Sequence, residues 1–439
     1  MTSNGGHVSH VTCHESHVTY QSPAKGEDKK KVTSHNSQFT IHNSQFTIHM
    51  SLVTCHASIV TCHMSHIKLS MRIAIPLILS LLLFSCSQGM EKQRFFAGMF
   101  TDEGQMGFQV LELNRKNGTI EFVSEADAGP NPSFFCVSED KGIIYAANEV
   151  MDFKGLHGGG ITSLKYNPKT GIAEKIDEFS IPNGSPCYIT LSPEKKHLLL
   201  ANYSGSSVTV VKLDDKGIPY EITDTISFTG PVGKVSHPHM ISFDPAGKLV
   251  YLTDLGLDRI VIYDFDNTSG RLIEKPGGIV NLQEGSGPRH FVFSSDGSIM
   301  YVINELNSTI SVFQVNDEDS IKLLQTLTTL RKDFSGKSFC ADIHLSKNGD
   351  FLYGSNRGEN TIVTFRIDSD GLLGLAGQTN CGGDWPRNFA LDPTGEYILV
   401  GNQKSGNISV FGIDNKTGLP LEPGTDYRLS SPACIKFPE

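Results

Sequence analysis

The sequence predicts an all-β protein, a seven-bladed β-propeller closed by one C-terminal plus three N-terminal strands. Three observations carry that expectation. Residues 285–315 read as three short strands in a row: an apolar run at 291–294, a tight Asp296-Gly297 turn, a second apolar run at 299–304 and an alternating segment at 310–315. β-Branched and aromatic residues separated by turn chemistry make a strand meander, not a helix. The same grammar recurs with a period of about fifty residues, the spacing of propeller blades. The two ends of the repeat region are also complementary, each lacking what the other holds.

Taken in order, the first strands open on a small-Pro-x signature or a relative of it. These are Asn131-Pro132-Ser133, Ser185-Pro186-Cys187, His237-Pro238-His239, Gly287-Pro288-Arg289, Cys340-Ala341-Asp342, Trp385-Pro386-Arg387 and Ser431-Pro432-Ala433. Second strands are expected over 143–148, 197–202, 249–254, 299–304, 351–356 and 397–402, and third strands over 161–166, 207–213, 260–265, 310–315, 362–367 and 408–413. A more polar fourth strand closes each unit, as at 173–181. The last first strand, 433–437, has nothing after it, and the opening strands 95–100, 108–113 and 120–125 have no first strand before them. Joined, they make the seventh blade and remove the free edges of the ring. An open array of β-sandwiches would not need such ends.

Composition narrows the function. Gly 43, Pro 20 and a single Trp suit a turn-rich β protein, and the net charge of -10 argues against a nucleic-acid partner. Five cysteines, Cys136, Cys187, Cys340, Cys381 and Cys434, lie in the repeats without metal-ligand spacing and read as small buried hydrophobes. No Gly-x-Ser-x-Gly elbow, phosphate loop or dinucleotide fingerprint occurs, so serine-nucleophile chemistry is not expected.

The first 93 residues are something else. Residues 1–70 carry Val-Thr-Cys-His three times, a tandem His-Asn-Ser-Gln-Phe-Thr-Ile heptad and ten of the 16 histidines. Without paired ligand spacing or an apolar face this is not a metal domain. Low-complexity disorder, or translation of repetitive DNA upstream of the true start, is the expected reading. Met71-Arg72, the apolar run 73–84 and the Leu83-Phe84-Ser85-Cys86 ending make a signal peptide over 71–85, too short to span a bilayer. The ending resembles the lipobox of bacterial lipoproteins, with Cys86 as the lipidated residue, 86–93 as tether and 94–439 as the propeller. A cleaved soluble signal is the alternative. The expectation is a monomer held on the bacterial envelope by its lipid alone, or a cytoplasmic protein if the signal is unused.

In a blade the start of strand one and the end of strand two lie on the same face, so the unusual residues converge on one channel mouth. Strand-one starts offer His237, His239, Arg289, His290, Asp342, His344 and Arg387; strand-two ends offer Glu149, Tyr203, Asp254, Asn304, Glu305, Arg357, Gln403 and Lys404. Alternation along a strand implies that Arg289 and His290 cannot both face the channel. Several arginines imply an anionic ligand, because a guanidinium matches carboxylates and phosphates bidentately. Glu305 or a histidine is a plausible general base. The asparagines ending the second strands read as turn formers, and Glu149 and Asp254 as solvated. His237 and His239 lack a carboxylate at matching spacing, so no metal is expected.

Four stretches carry a resemblance: GSGPRHFVFSSDGSIMYVINELNSTISVF, SHPHMISFDPAGKLVYLTDLG, NYSGSSVTV and FCADIHLSKNGDFLYGSNRGENTI. Together they resemble the lactonase family of seven-bladed propellers, which includes propeller-type 6-phosphogluconolactonases and is similar to carboxymuconate cyclase. The resemblance spans residues 94–437; its Gly-Pro-Arg-His and Asn-Glu-Leu-Asn pair is the specific part. It implies opening of a sugar lactone, 6-phosphogluconolactone or a related aldonolactone, without metal or cofactor. It also implies catalytic roles for Glu305, His237 and Arg289: Arg289 and Arg387 or Arg357 would bind the anionic group and the oxyanion, and Glu305 or His237 would deprotonate water. Further substrate contacts are expected from His239, His290, Asn304, Asp342, His344 and Gln403. A muconate-type cycloisomerase and a non-catalytic ligand-binding propeller are the competing readings.

Overall fold

A computed structural model describes residues 91–316, 320–422 and 424–438. The 1–70 segment, the signal peptide and Cys86 lie outside these described residues. Among the described residues there are thirty strands; twenty-eight form seven four-stranded antiparallel sheets, and Asp152–Phe153 with Leu156–His157 make a small hairpin the sequence reading did not anticipate.

Blade 1 runs Pro132–Ser138, Ile143–Asn148, Gly159–Asn167 and Ile172–Ile181, and blade 2 Pro186–Leu191, His197–Asn202, Ser207–Leu213 and Pro219–Ser227. Blade 3 is Pro238–Phe243, Leu249–Asp254, Arg259–Asp266 and Arg271–Asn281; blade 4 is Pro288–Phe293, Ile299–Asn304, Thr309–Val315 and Ile321–Thr328. Blades 5 and 6 begin at Phe339–Leu345 and Pro386–Leu391. Blade 7 takes its inner strand, Pro432–Lys436, from the C-terminal end and Lys92–Met99, Gly107–Asn114 and Thr119–Asp127 from the other end of the repeat region. The predicted closure is thus present, and each inner strand touches the inner strands of both neighbours around a ring.

The packing explains the sequence pattern. Second strands are buried along their whole length, as at Ile299–Asn304. Ile299, Tyr301 and Ile303 pack on blade 5, while Met300 and Val302 pack on blade 3. A strand covered on both faces needs no polar alternation, which is why these segments read as continuous apolar runs. The outer strands alternate because only one of their faces is covered. Neighbouring blades are also tied by tyrosines: the hydroxyls of Tyr145, Tyr301 and Tyr353 donate to the carbonyls of Gly217, Gly371 and Gly418 in the next blade, at 2.7, 2.9 and 2.9 Å.

One feature overturns the alternation argument. In every blade the inner strand carries a one-residue bulge just after its start, as where Pro288 pairs with Asn304 but His290 pairs with Ile303. The equivalents fall at Pro132/Phe134, Pro186/Tyr188, Pro238/Met240, Cys340/Ile343, Pro386/Asn388 and opposite Gly98/Met99. The extra residue is released from the pleat and swings toward the next blade. Adjacent residues can therefore both reach the channel, and Arg289 and His290 do.

Candidate active site

The register sorts the channel into levels of seven residues. The uppermost is the residue that follows each second-strand Asn or its equivalent: Phe100, Glu149, Tyr203, Leu255, Glu305, Arg357 and Gln403. Its backbone position is fixed, in six of the seven, by an N–H donated to the carbonyl just before the inner strand, such as Glu305 to Gly287 at 2.7 Å and Glu149 to Asn131 at 2.9 Å. Below it lies the bulge level, with His239, Arg289 and Arg387. Below that lies the third inner-strand position, with Phe134, Tyr188, His290, Asp342 and Asn388.

Glu305 faces the channel and is held by two guanidiniums. Its Oε2 lies 3.1 Å from Arg289 Nε and 2.7 Å from Arg357 Nη2. Arg289, 2% exposed, also donates to the Ala341 carbonyl at 2.5 Å. Arg357 donates to the Cys340 carbonyl at 2.9 Å and lies 5.5 Å from the Trp385 ring centre. Burial alone would raise the Glu305 carboxyl, but Arg357 and Arg289 outweigh it and hold the group below the usual carboxylate range. Arg289 is pulled down to about 10 by burial and by Arg357 and Arg387. A carboxylate so paired is a poor proton acceptor, so its geometry favours aiming the arginines over the expected base role.

His237 suits the base role better. It is half-buried, stacks on Tyr203 at 4.4 Å and places Nδ1 3.1 Å from the Tyr203 carbonyl oxygen. A carbonyl can only accept, so Nδ1 carries the hydrogen, and in the neutral ring the lone pair falls to Nε2. The third arginine, Arg387, lies 4.9 Å over the Phe100 ring with Nη2 3.5 Å from Glu149 Oε2.

The floor is built by the third-position residues. Phe134 and Tyr188 stack at 4.2 Å, and the His290 ring meets both edge-on. Arg289 Nη1 is 3.4 and 3.3 Å from the two nitrogens of that ring. Equidistance places the guanidinium over the ring face. His290 donates Nδ1–H to Asp342 Oδ1 at 2.8 Å, and Asp342 Oδ2 also accepts from His344 Nε2 at 2.9 Å and Asn388 Nδ2 at 2.5 Å. Burial and then Arg289 pull His290 down to about 4, against the opposing pull of Asp342, so the ring is neutral and a guanidinium can rest on it. His239 is likewise held well below its usual range, by burial first and then by Arg289.

Of the expected site residues, the structure gathers Glu305, His237, Arg289, Arg357, Arg387, His239, His290 and Asp342 at the mouth and its floor. His344 lies two positions further down the inner strand and serves Asp342. Gln403 takes the uppermost level through its backbone, donating to the Trp385 carbonyl at 3.0 Å. Asn304 corrects the expectation: it is fully buried and its Nδ2 donates to Thr309 and Ser311 of its own blade at 2.9 Å each. Asn148, Asn202, Asn356 and Asn402 are also fully buried and bracket strands, so they are not exposed turn formers. Asp254 is buried too, accepting from Ser236 and the His237 backbone and pairing with Arg259, and Glu149 is paired with Arg387; neither is solvated. Sequence reasoning missed what Tyr203, Trp385 and Asn388 do. The level of seven could have found Tyr203; no local signal marks the other two. Trp385 is held at φ 70, in the left-handed region where a bulky side chain is strained, with Arg357 and Lys404 against its ring.

The comparisons agree with this architecture. The family model described as "Lactonase, 7-bladed beta-propeller" matches residues 94–437. A 6-phosphogluconolactonase of Formosa agariphila is 34% identical over 335 residues, covering 74% of this chain and 93% of that protein. A 6-phosphogluconolactonase of Bacillus subtilis is 26% identical over 358 residues, 79% of this chain and 99% of that one. Among solved structures, the periplasmic gluconolactonase of Pseudomonas aeruginosa superposes with a TM-score of 0.74 at 28% identity, covering 79% of this chain and 99% of that one. The chain belongs to the lactonase family of seven-bladed β-propellers, whose members named above are carboxylic-ester hydrolases.

Proposed function

We propose that the protein opens a sugar lactone, 6-phosphogluconolactone or a related aldonolactone, using protein groups alone. The observation that carries this reading is His237, tautomer-fixed by Tyr203, at the channel mouth that also holds three guanidiniums set by Glu305, Glu149 and the His290 floor. The lone pair of His237 Nε2 takes a proton from water as its oxygen attacks the lactone carbonyl carbon. Arg289, Arg357 and Arg387 stabilise the tetrahedral oxyanion. The carbon–ring oxygen bond then breaks, the ring oxygen takes the proton back from His237, and the hydroxy acid loses one proton to water. Glu305 positions Arg289 and Arg357 and is not the base.

Charge favours an uncharged lactone ring. Two carboxylates, Glu305 and Glu149, already pair with the three guanidiniums, so a phosphate dianion must compete with carboxylates already in place. An aldonolactone without phosphate suits an exported protein, and the periplasmic relative from Pseudomonas supports that location. Lipid anchoring through Cys86, as a monomer, belongs to the same proposal.

The test is lactone hydrolysis, corrected for spontaneous opening, with gluconolactone, 6-phosphogluconolactone and a muconolactone. We expect gluconolactone to be opened fastest. His237→Gln and Arg289→Ala should each lower kcat/KM by roughly 100-fold or more. A folded protein that turns over none of the three would sink the lactonase reading. Undiminished turnover by His237→Gln would remove His237 as the base.

A further inference from the structure

Glu149 and Arg387 form the second acid–base pair of the mouth, and in the mechanism above the carboxylate does no more than set Arg387. The pair differs from Glu305 with its arginines in a way that points to a ligand. Glu149 Oε2 is buried yet accepts no hydrogen bond, and its ion pair with Arg387 Nη2 is long, at 3.5 Å. The two side chains are only 18% and 16% exposed, so bulk water does not readily make up the deficit. A buried acceptor without a donor is costly and calls for a partner.

The pair is held open by its surroundings. Glu149 is fixed at its backbone by the Asn131 carbonyl, and Asn131 Nδ2 reaches back to the Glu149 carbonyl at 3.4 Å. Arg387 leaves the bulge of blade 6 and lies 4.9 Å over the ring of Phe100 in blade 7, so closing further on a carboxylate of blade 1 would draw its guanidinium off that ring. Three blades therefore frame one acceptor and one donor at a fixed separation.

We propose that Glu149 and Arg387 form a subsite for adjacent hydroxyl groups of the substrate, one hydroxyl donating to the partly exposed Glu149 carboxylate and its neighbour accepting from the Arg387 guanidinium. A vicinal diol presents a donor and an acceptor side by side and fits both needs without a change of charge. A phosphate or carboxylate would satisfy Arg387 but bring like charge against Glu149. The subsite thus selects a polyhydroxy lactone over a plain one. This rests on the lactonase reading for its kinetics, though not for its binding.

The experiment uses the full chain and two lactones of the same ring size, gluconolactone and δ-valerolactone, which lacks hydroxyls. Glu149→Ala should lower kcat/KM for gluconolactone about 10- to 100-fold more than for δ-valerolactone, chiefly through KM, since hydrogen bonds to a charged group are what is lost. Glu149→Gln, which keeps an acceptor oxygen, should recover most of that ratio and guards against a variant that fails to fold. Binding of the non-hydrolysable lactam of gluconic acid, followed by calorimetry, reads the subsite independently. If no lactone is turned over, loss of lactam binding in Glu149→Ala still supports the subsite while the lactonase reading falls. Equal losses on both lactones, or lactam binding indifferent to Glu149, would overturn it.

Discussion

Glu305 and Glu149 occupy the same level of the channel on blades 4 and 1, each following the asparagine that ends a second strand. Their environments differ in how completely the carboxylate is used. Glu305 meets two guanidiniums at 3.1 and 2.7 Å, whereas Glu149 meets one at 3.5 Å. The first arm is paired twice within the protein; the second is paired once, at longer range. One scaffold position thus yields a rigid electrostatic brace on one side of the mouth and an unsatisfied acceptor on the other. The difference arises next door: the bulge residue of blade 4 is Arg289, that of blade 1 is Ser133.

The strongest way to break this contrast is to unload the braced arm. Glu305→Gln leaves Arg289 and Arg357 facing each other with a neutral amide between them. Removing one member of a buried charge cluster costs about 3 kcal/mol, to be read as a lower midpoint in denaturant unfolding. Turnover should fall roughly 100-fold because the guanidiniums lose their aim. Inorganic phosphate should bind at least about 10-fold more tightly than to the native protein, since its dianion can now take the vacated place. Phosphate inhibition unchanged by Glu305→Gln would show that the carboxylate does not guard the arginines.

The floor gives a second, smaller lever, because Arg289 rests on a neutral His290. The folded pKa of His290 lies at about 4, below its unfolded value. A group depressed in the folded state contributes stability that is full above the unfolded pKa, near 6.5, and is lost as pH falls toward the folded value. Unfolding free energy should therefore drop by on the order of 2–3 kcal/mol between pH 6.5 and 4, before the carboxylates account for the rest. His290→Phe, which keeps a flat ring beneath Arg289, should flatten that limb of the stability curve. An unaltered slope in His290→Phe would mean that His290 does not titrate as argued.

How much of this was legible in the sequence depends on the distance over which each feature is encoded. Blade strands and turns are local, so apolar runs such as 299–304 and the Asp296-Gly297 turn disclosed them, and the ends of the repeat disclosed the closure. Glu305, Arg289, Arg357 and Arg387 were legible because topology alone puts strand ends at one mouth. The bulge was not: strict alternation separated Arg289 from His290, and only the register after Pro288 reunites them. The stacking of Tyr203 on His237 and of Trp385 beneath Arg357 joins residues on different blades, and nothing near either residue announces it. Asparagine misled for a physical reason, since an amide that suits a turn equally suits a buried bracket.

The asparagines give the finest test of the contrast, because Asn304 and Asn148 are the roots from which Glu305 and Glu149 project. Asn304 Nδ2 donates to Thr309 and Ser311, both on the third strand of its own blade. Asn148 Nδ2 donates to the carbonyls of Ala128 and Pro130 at 2.7 and 3.0 Å, and its Oδ1 accepts from Thr162 at 2.8 Å. The braced arm is thus rooted within one blade and the open arm in the segment that links blade 7 to blade 1. Asn304→Ala strands two hydroxyls that can turn to other acceptors and should cost about 1 kcal/mol. Asn148→Ala strands two buried carbonyls that cannot turn, and should cost about 2 kcal/mol. Thermal unfolding of both variants reads these losses, and the KM for gluconolactone separates the roots further. It should hold in Asn304→Ala, where Glu305 stays braced by its arginines, and rise in Asn148→Ala, where Glu149 has no second support. A KM that rises in Asn304→Ala alone would reinstate Asn304 as a substrate contact and reverse the assignment of the two arms.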